Sequence, residues 1–179
     1  MSTENSKFLF PRADHDHLQG PIDAPFALVE YGDYECPYCG EAYPVVKEIQ
    51  KHLGKRLCFA FRNFPLVNSH PHALHAAEAA EAAAAQGRFW EMHDLLYENQ
   101  EALEDADLAG YAAALGLDGR HLIGEVLKGA HADRIREDLK GGLRAGVDGT
   151  PCFFVNGKLY EGPTDFEGLL AALTSPAAG

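Results

Sequence analysis

Apolar positions along this chain alternate between two rhythms. Phe26-Ala-Leu-Val-Glu-Tyr31 and Leu57-Cys-Phe-Ala-Phe61 are short and almost continuously apolar, which predicts buried strands, the second parallel to the first. Between them, from Pro37 to about His52, Val45, Val46, Ile49 and Leu53 recur at helical spacing, and Gly54 supplies the stop. Pro44 lies inside that helix and predicts a kink, because it removes an intrahelical hydrogen bond. After turn signals at Asn63-Phe-Pro65 and His70-Pro-His72 the pattern becomes helical. Helices are expected over Ala73–Gln86, Arg88–Gln100 and about 106–115, 119–128 and 131–145, with Gly87, Gly116, Gly129 and Gly146 as stops. Phe89, Trp90, Met92, Leu95 and Leu96 share helical spacing and read as core rather than as a ligand box. The strand rhythm then returns in Phe153-Phe-Val155 and Lys158-Leu-Tyr160, joined by Asn156-Gly157, a dipeptide that tolerates the positive φ angles of a tight hairpin turn. Thr164-Asp-Phe-Glu167 reads as a capping box for a last amphipathic helix carrying Phe166, Leu169, Leu170 and Leu173. The order is βαβ, then helices, then ββα.

Composition narrows the partners. The chain has 179 residues, enough for one domain with a subdomain, and 15 basic against 27 acidic side chains give a net charge of −12. That balance opposes nucleic acid or an anionic membrane surface as a partner, and no apolar stretch is long enough to span a bilayer. The polar start, Met1-Ser-Thr-Glu-Asn-Ser-Lys7, lacks the basic and apolar segments of a secretory signal, so a cytoplasmic monomer is expected. Residues 1–17, with His15 and His17, read as a flexible, solvated tail.

The candidate chemistry is sulfur chemistry. Four cysteines do not make a disulfide scaffold in a chain of this size. Cys58 sits in an apolar run and reads as a packing residue; Cys152, directly after Pro151, is harder to assign. Cys36 and Cys39 are different. They stand two residues apart where a strand gives way to a helix, with Pro37 at the position a first-turn proline occupies. A sulfur at a helix N-terminus is stabilised as a thiolate by backbone N–H groups and the macrodipole. Glu30, inside the apolar strand six residues before Cys36, is either a strand-end acid reaching solvent or a buried carboxyl with a raised pKa. Arg62, in the neighbouring strand, is its candidate partner, and Glu35 reads as a solvated surface acid. His70, His72, His75 and Glu78 form a possible metal cluster, but a proline and a helix start account for them without an ion, and one Cys-x-x-Cys is a weak zinc signal. No metal or cofactor is expected.

Three separated stretches then carry a resemblance: Val29-Glu-Tyr-Gly-Asp-Tyr-Glu-Cys-Pro-Tyr-Cys-Gly40, Phe61-Arg-Asn-Phe-Pro65 with His70-Pro-His-Ala73, and Gly146-Val-Asp-Gly-Thr-Pro-Cys-Phe-Phe-Val-Asn-Gly157. In that order they resemble the DsbA-like thiol–disulfide oxidoreductases of the thioredoxin superfamily, over about residues 20–173. The resemblance implies an α/β thioredoxin fold, over 18–63 and 147–175, with an all-helical domain inserted at 64–146. It implies that Cys36 is the exposed nucleophile, Cys39 the buried resolving thiol, and Glu30 the acceptor of the Cys39 proton. It further implies that Pro151 follows a cis bond and that Thr150 and Pro151, with Pro37 and Tyr38, contact substrate. Pro44 matches the family's helix-kinking proline. Tyr38 departs from the histidine of the best-known periplasmic oxidase, so a strongly oxidising character is not implied. The expected activity is reduction, formation or isomerisation of protein or small-molecule disulfides, reduction and isomerisation first, with an unidentified redox partner. A glutathione-linked enzyme and a non-catalytic peptide-binding holdase of the same fold are the rival readings. The first is disfavoured by the second cysteine, since relatives of that kind generally lack it.

Overall fold

Strand β2 (Phe26–Gly32) is the spine of a five-stranded sheet. In the computed structural model, which describes residues 9–175, the strand order is β1 (His17–Gln19), β3 (Leu57–Asn63), β2, β4 (Cys152–Val155), β5 (Lys158–Tyr160). Strand β3 (Leu57–Asn63) runs parallel to β2, with Glu30 opposite Phe61 and Tyr31 opposite Arg62. Strand β4 (Cys152–Val155) pairs antiparallel on the other side of β2, and β5 (Lys158–Tyr160) completes the hairpin. The hairpin turn has Asn156 at φ 47° and Gly157 at φ 78°, the left-handed pair that Asn-Gly supplies. Strand β1 (His17–Gln19) pairs antiparallel with β3 and was not foreseen: three residues, two of them polar, carry no periodic signal.

Helix α1 (Pro37–Leu53) continues through Pro44 and buries Cys39, Ala42, Val46, Ile49 and Leu53 against one face of the sheet. A single 3₁₀ turn (Gly54–Arg56) returns the chain to β3. Between β3 and β4 lie α2 (Ala73–Ala84), α3 (Phe89–Glu98), α4 (Asp105–Ala114), α5 (Gly119–Lys128) and α6 (Ala132–Ala145). The alanines of α2 and the row Phe89, Met92 and Leu96 of α3 join the same core as α1. Helix α6 instead lies on the opposite face, where a methyl group at Gly142 would stand 2.8 Å from the Phe64 ring. That glycine lets helix and sheet approach. Helix α7 (Phe166–Thr174) is capped by Asp165, whose carboxylate accepts from the Gly168 N–H at 2.7 Å. The expected box from Thr164 to Glu167 is thus displaced by one residue: an aspartate at the cap accepts the N3 amide itself.

Two expectations are corrected by the far face of the sheet. Residues 1–8 of the expected tail lie outside the described residues, but 9–17 are anchored. Asp16, its side chain fully buried, accepts from Arg62 Nε and Nη2, both at 2.8 Å. His15 stands 2.9 Å from Asp138 of α6 and His17 stands 3.0 Å from Glu81 of α2. Arg62 also donates to the Tyr31 hydroxyl at 2.8 Å, and so is not the partner of Glu30. The pleat decides this: Tyr31 and Arg62 are register partners on one face, whereas Glu30 projects from the other.

Candidate active site

Cys36 is the N-cap of α1, with extended backbone (φ −71°, ψ 121°), and Pro37 opens the helix. Its N–H donates to Asp33 O at 3.2 Å, and its carbonyl accepts from the Gly40 N–H at 3.1 Å. Gln100, which follows α3, clamps the turn: its Nε2 donates to Tyr34 O at 2.8 Å and to Cys36 O at 2.9 Å. Gly40 makes room for that side chain, since a methyl there would collide with Gln100. From the far end of the sequence, the Thr150–Pro151 bond is cis, and the Cys36 thiol donates to Thr150 O at 3.4 Å. Thr150, Pro151, Tyr38, Glu41, Ala42 and Thr164 line a groove of about 240 Å³ beside the sulfur. Tyr38 is 69% exposed on its rim. Larger cavities, of about 300 and 640 Å³, lie away from the thiols, against α6 and beside Cys58.

The two thiols, both free, differ sharply in their electrostatics. Cys36 is pulled down to about 5, first by the hydrogen bond from the Cys39 thiol and then, against a desolvation cost, by the Thr150 side chain and the first amides of α1. Cys39 is pushed far above the ordinary thiol range by burial, by its bond to Cys36 and by the charge of Glu30. Glu30, fully buried, is raised to about 8, chiefly by desolvation and secondly by the Cys36 charge. Its Oε1 has no hydrogen-bond partner. One correction concerns access. Cys36 was expected to be exposed but is only 3% accessible, against 0% for Cys39.

The two acids flanking Tyr34 brace the loop before Cys36. Asp33, buried, accepts from Glu35 N and Leu66 N and stands 2.8 Å from His70 Nδ1. Burial opposes a charge on His70, but Asp33, Cys36 and Glu35 outweigh it and raise its pKa. Glu35 is not the solvated acid expected: it accepts from His72 N at 2.6 Å and stands 2.9 Å from His72 Nδ1. His75 faces Asp105 instead, at 2.7 Å. The three histidines therefore meet three separate carboxylates, and among the described residues no group of three or more metal-ligating side chains comes together. Cys58 and Cys152 are both pushed up to about 11, mainly by burial. Asp33 and Gln100 were missed from sequence, although Gly32 and Gly40, bracketing the motif, signal close approach of other groups.

A family model described as thioredoxin matches residues 12–175. The chain belongs to the thioredoxin family. Among curated proteins it is 49% identical over 166 residues to one named Na(+)/H(+) antiporter NhaA 1 from Salinispora arenicola, covering 93% of this chain and 25% of that protein. The thioredoxin-family chain thus spans about a quarter of the length of the curated relatives it matches. Among solved structures it is similar to oxidised BdbD from Bacillus subtilis, with a TM-score of 0.81, 24% identity, and 93% and 97% of the two chains covered. It is similar as well to a thioredoxin-like oxidoreductase from Silicibacter pomeroyi, with a TM-score of 0.80, 24% identity and 96% and 95% covered. For α-DsbA1 from Wolbachia pipientis the TM-score is 0.78, at 20% identity with 94% of each chain covered. The fold is that of the DsbA-like members of the thioredoxin superfamily, with helices inserted between β3 and β4. Among the described residues, no helix is long and apolar enough to cross a membrane.

Proposed function

We propose that this chain is a thiol–disulfide oxidoreductase whose redox group is the Cys36–Cys39 pair itself. The observation that carries the reading is the asymmetry between the thiols: one is a low-pKa sulfur at a helix start beside the groove, the other a more deeply buried thiol near a carboxyl with one oxygen unpartnered. In the reducing direction the Cys36 thiolate attacks a substrate disulfide; one substrate sulfur leaves as a thiolate, and a mixed disulfide forms at Cys36. Glu30 then takes the Cys39 proton, the Cys39 sulfur attacks Cys36 Sγ, and the second substrate sulfur departs as a thiolate. The protein pair is oxidised by two electrons and the substrate reduced by two. In the opposite direction, the protein disulfide is passed to substrate thiols. The groove beside Pro151, lined by Thr150 and Tyr38, suits an extended peptide segment.

The depressed Cys36 thiol bears on direction. A low-pKa sulfur leaves readily and stabilises the reduced pair, which favours disulfide isomerisation or formation over plain reduction. Equilibration with glutathione tests this: the reading predicts a potential above the roughly −270 mV of thioredoxin, and a value below that returns the protein to the reductases. Acceleration of dithiothreitol-dependent insulin reduction, lost in Cys36→Ser, tests the class, and Cys39→Ser is expected to trap a mixed disulfide. Peptide binding that survives loss of both thiols, without turnover in the wild type, would favour the holdase reading. The relatives named as antiporters also support a membrane transporter of that kind as one candidate partner; thiol-specific crosslinking from Cys39→Ser to such a protein tests it.

A further inference from the structure

Tyr97 reaches the floor of the site from α3, in the helical insertion. Its ring is packed against Tyr34, Phe61 and His93, with centroids 4.9, 6.1 and 5.0 Å away. Its hydroxyl lies over Gly32: a methyl group at position 32 would stand 2.8 Å from the Tyr97 oxygen. The space a side chain would fill on β2 is shared by that hydroxyl and the Phe61 ring, which the same methyl would meet at 2.5 Å. Gly32 follows Glu30 by two residues, so both face the same side of the sheet, beneath Cys39. Two buried oxygens here have no hydrogen-bond partner, Tyr97 Oη and Glu30 Oε1. Such groups are costly to bury unless something is gained by holding them ready. Burial, followed by the charges of Cys39 and Glu30, keeps the phenol protonated, so towards these groups it serves as a donor. Resting on the oxidoreductase reading above, we infer that Tyr97 is a positioning residue for resolution, its unpartnered O–H available to the negative charge that forms as the Cys39 proton passes to Glu30.

The role follows from when charge appears. Before resolution Cys39 is a neutral thiol. As its proton passes to Glu30 and its sulfur attacks Cys36, negative charge moves through a site closed to solvent. A buried donor with no other partner is available to that charge where water is excluded. The other titratable groups acting on the site are Cys36 from α1, and Asp33 and Tyr34 from the loop after β2. His93, at the rear of the same aromatic cluster, is kept neutral by burial.

The test uses the reduced full chain and dithiobis-nitrobenzoate, an aromatic disulfide that releases one coloured thiolate when Cys36 attacks and a second when Cys39 resolves. Releases lost in Cys36→Ser are assigned to the pair. Tyr97→Phe is expected to leave the first release within about twofold and to slow the second by about 10- to 100-fold, the scale of one hydrogen bond to a charged group. Because the hydroxyl has no native partner, the thermal midpoint of Tyr97→Phe should hold or rise. A second release unchanged in Tyr97→Phe, or both releases slowed together with a fallen midpoint, overturns the inference. A wild type that releases only one equivalent from the pair overturns the oxidoreductase reading and takes this inference with it.

Discussion

Glu30 and Asp16 are both buried carboxylates, on opposite faces of one sheet, and they are treated in opposite ways. Asp16 meets Arg62 with two 2.8 Å bonds, and Arg62 is further held by Tyr31 and by Phe10 O. Among the described residues no cation pairs with Glu30; besides burial, the Cys36 charge acts on it, and one of its oxygens is unpartnered. The difference teaches where this molecule spends stability. A satisfied buried pair locks the N-terminal segment to the sheet, whereas an unsatisfied acid with its pKa lifted towards neutrality is equipped to exchange a proton.

The sharpest way to break the contrast is to neutralise Glu30. Its folded pKa, about 8 against an ordinary 4.5, means that the folded protein holds a proton the unfolded chain has lost between those values. Stability therefore falls as pH rises from 4.5 to 8, by about 5 kcal/mol in all. Denaturant melts of Glu30→Gln are expected to lose this slope. At pH 9 the variant should exceed wild type by about 2–4 kcal/mol, the buried amide offsetting part of the gain, while resolution by Cys39 slows. A wild-type slope of the opposite sign would show that Glu30 is charged and partnered. Asp16→Ala is the mirror experiment: stranding Arg62 should cost about 3–5 kcal/mol in the same melts. Alkylation of Cys36 should not change, which marks the pair as structural.

Smaller effects sharpen the boundary. His70 is raised by Asp33, so its contribution is fully present below the ordinary histidine value of 6.5 and fades as pH rises through its folded value. His70→Gln should lose about 1–2 kcal/mol at pH 6 and little above pH 9. It should also raise the Cys36 alkylation midpoint, because a cation near the thiolate is gone. Cys152→Ala should be smallest of all, with insulin turnover within about twofold of wild type. Its thiol, pushed up to about 11, is protonated at neutral pH.

Most of the fold was legible because its signals are local and repeated. The continuous runs at β2 and β3, the Asn-Gly turn and the glycine stops each reflect a backbone requirement that neighbouring residues reveal. Strand β1 was not legible, since its pairing with β3 is decided by residues about 40 positions away. In the site, the thiols could be read from motif spacing, Glu30 from its apolar surroundings, and the role of Pro151 only from the family resemblance. The partner of Arg62 could not, because one step of the pleat moves a side chain to the other face. Gln100 and Tyr97 arrive from the insertion, and only the glycines at 40 and 32 hinted that something must fit there.

The central claim is that Cys36 is a thiolate at neutral pH while Cys39 is not. The direct measurement is the pH dependence of iodoacetamide alkylation of the reduced full chain, with each site assigned by mass spectrometry. The account predicts a midpoint near pH 5 at Cys36 and no modification of Cys39 below about pH 9. A Cys36 midpoint at the ordinary thiol value, near 8.5, or Cys39 reacting first, would contradict it.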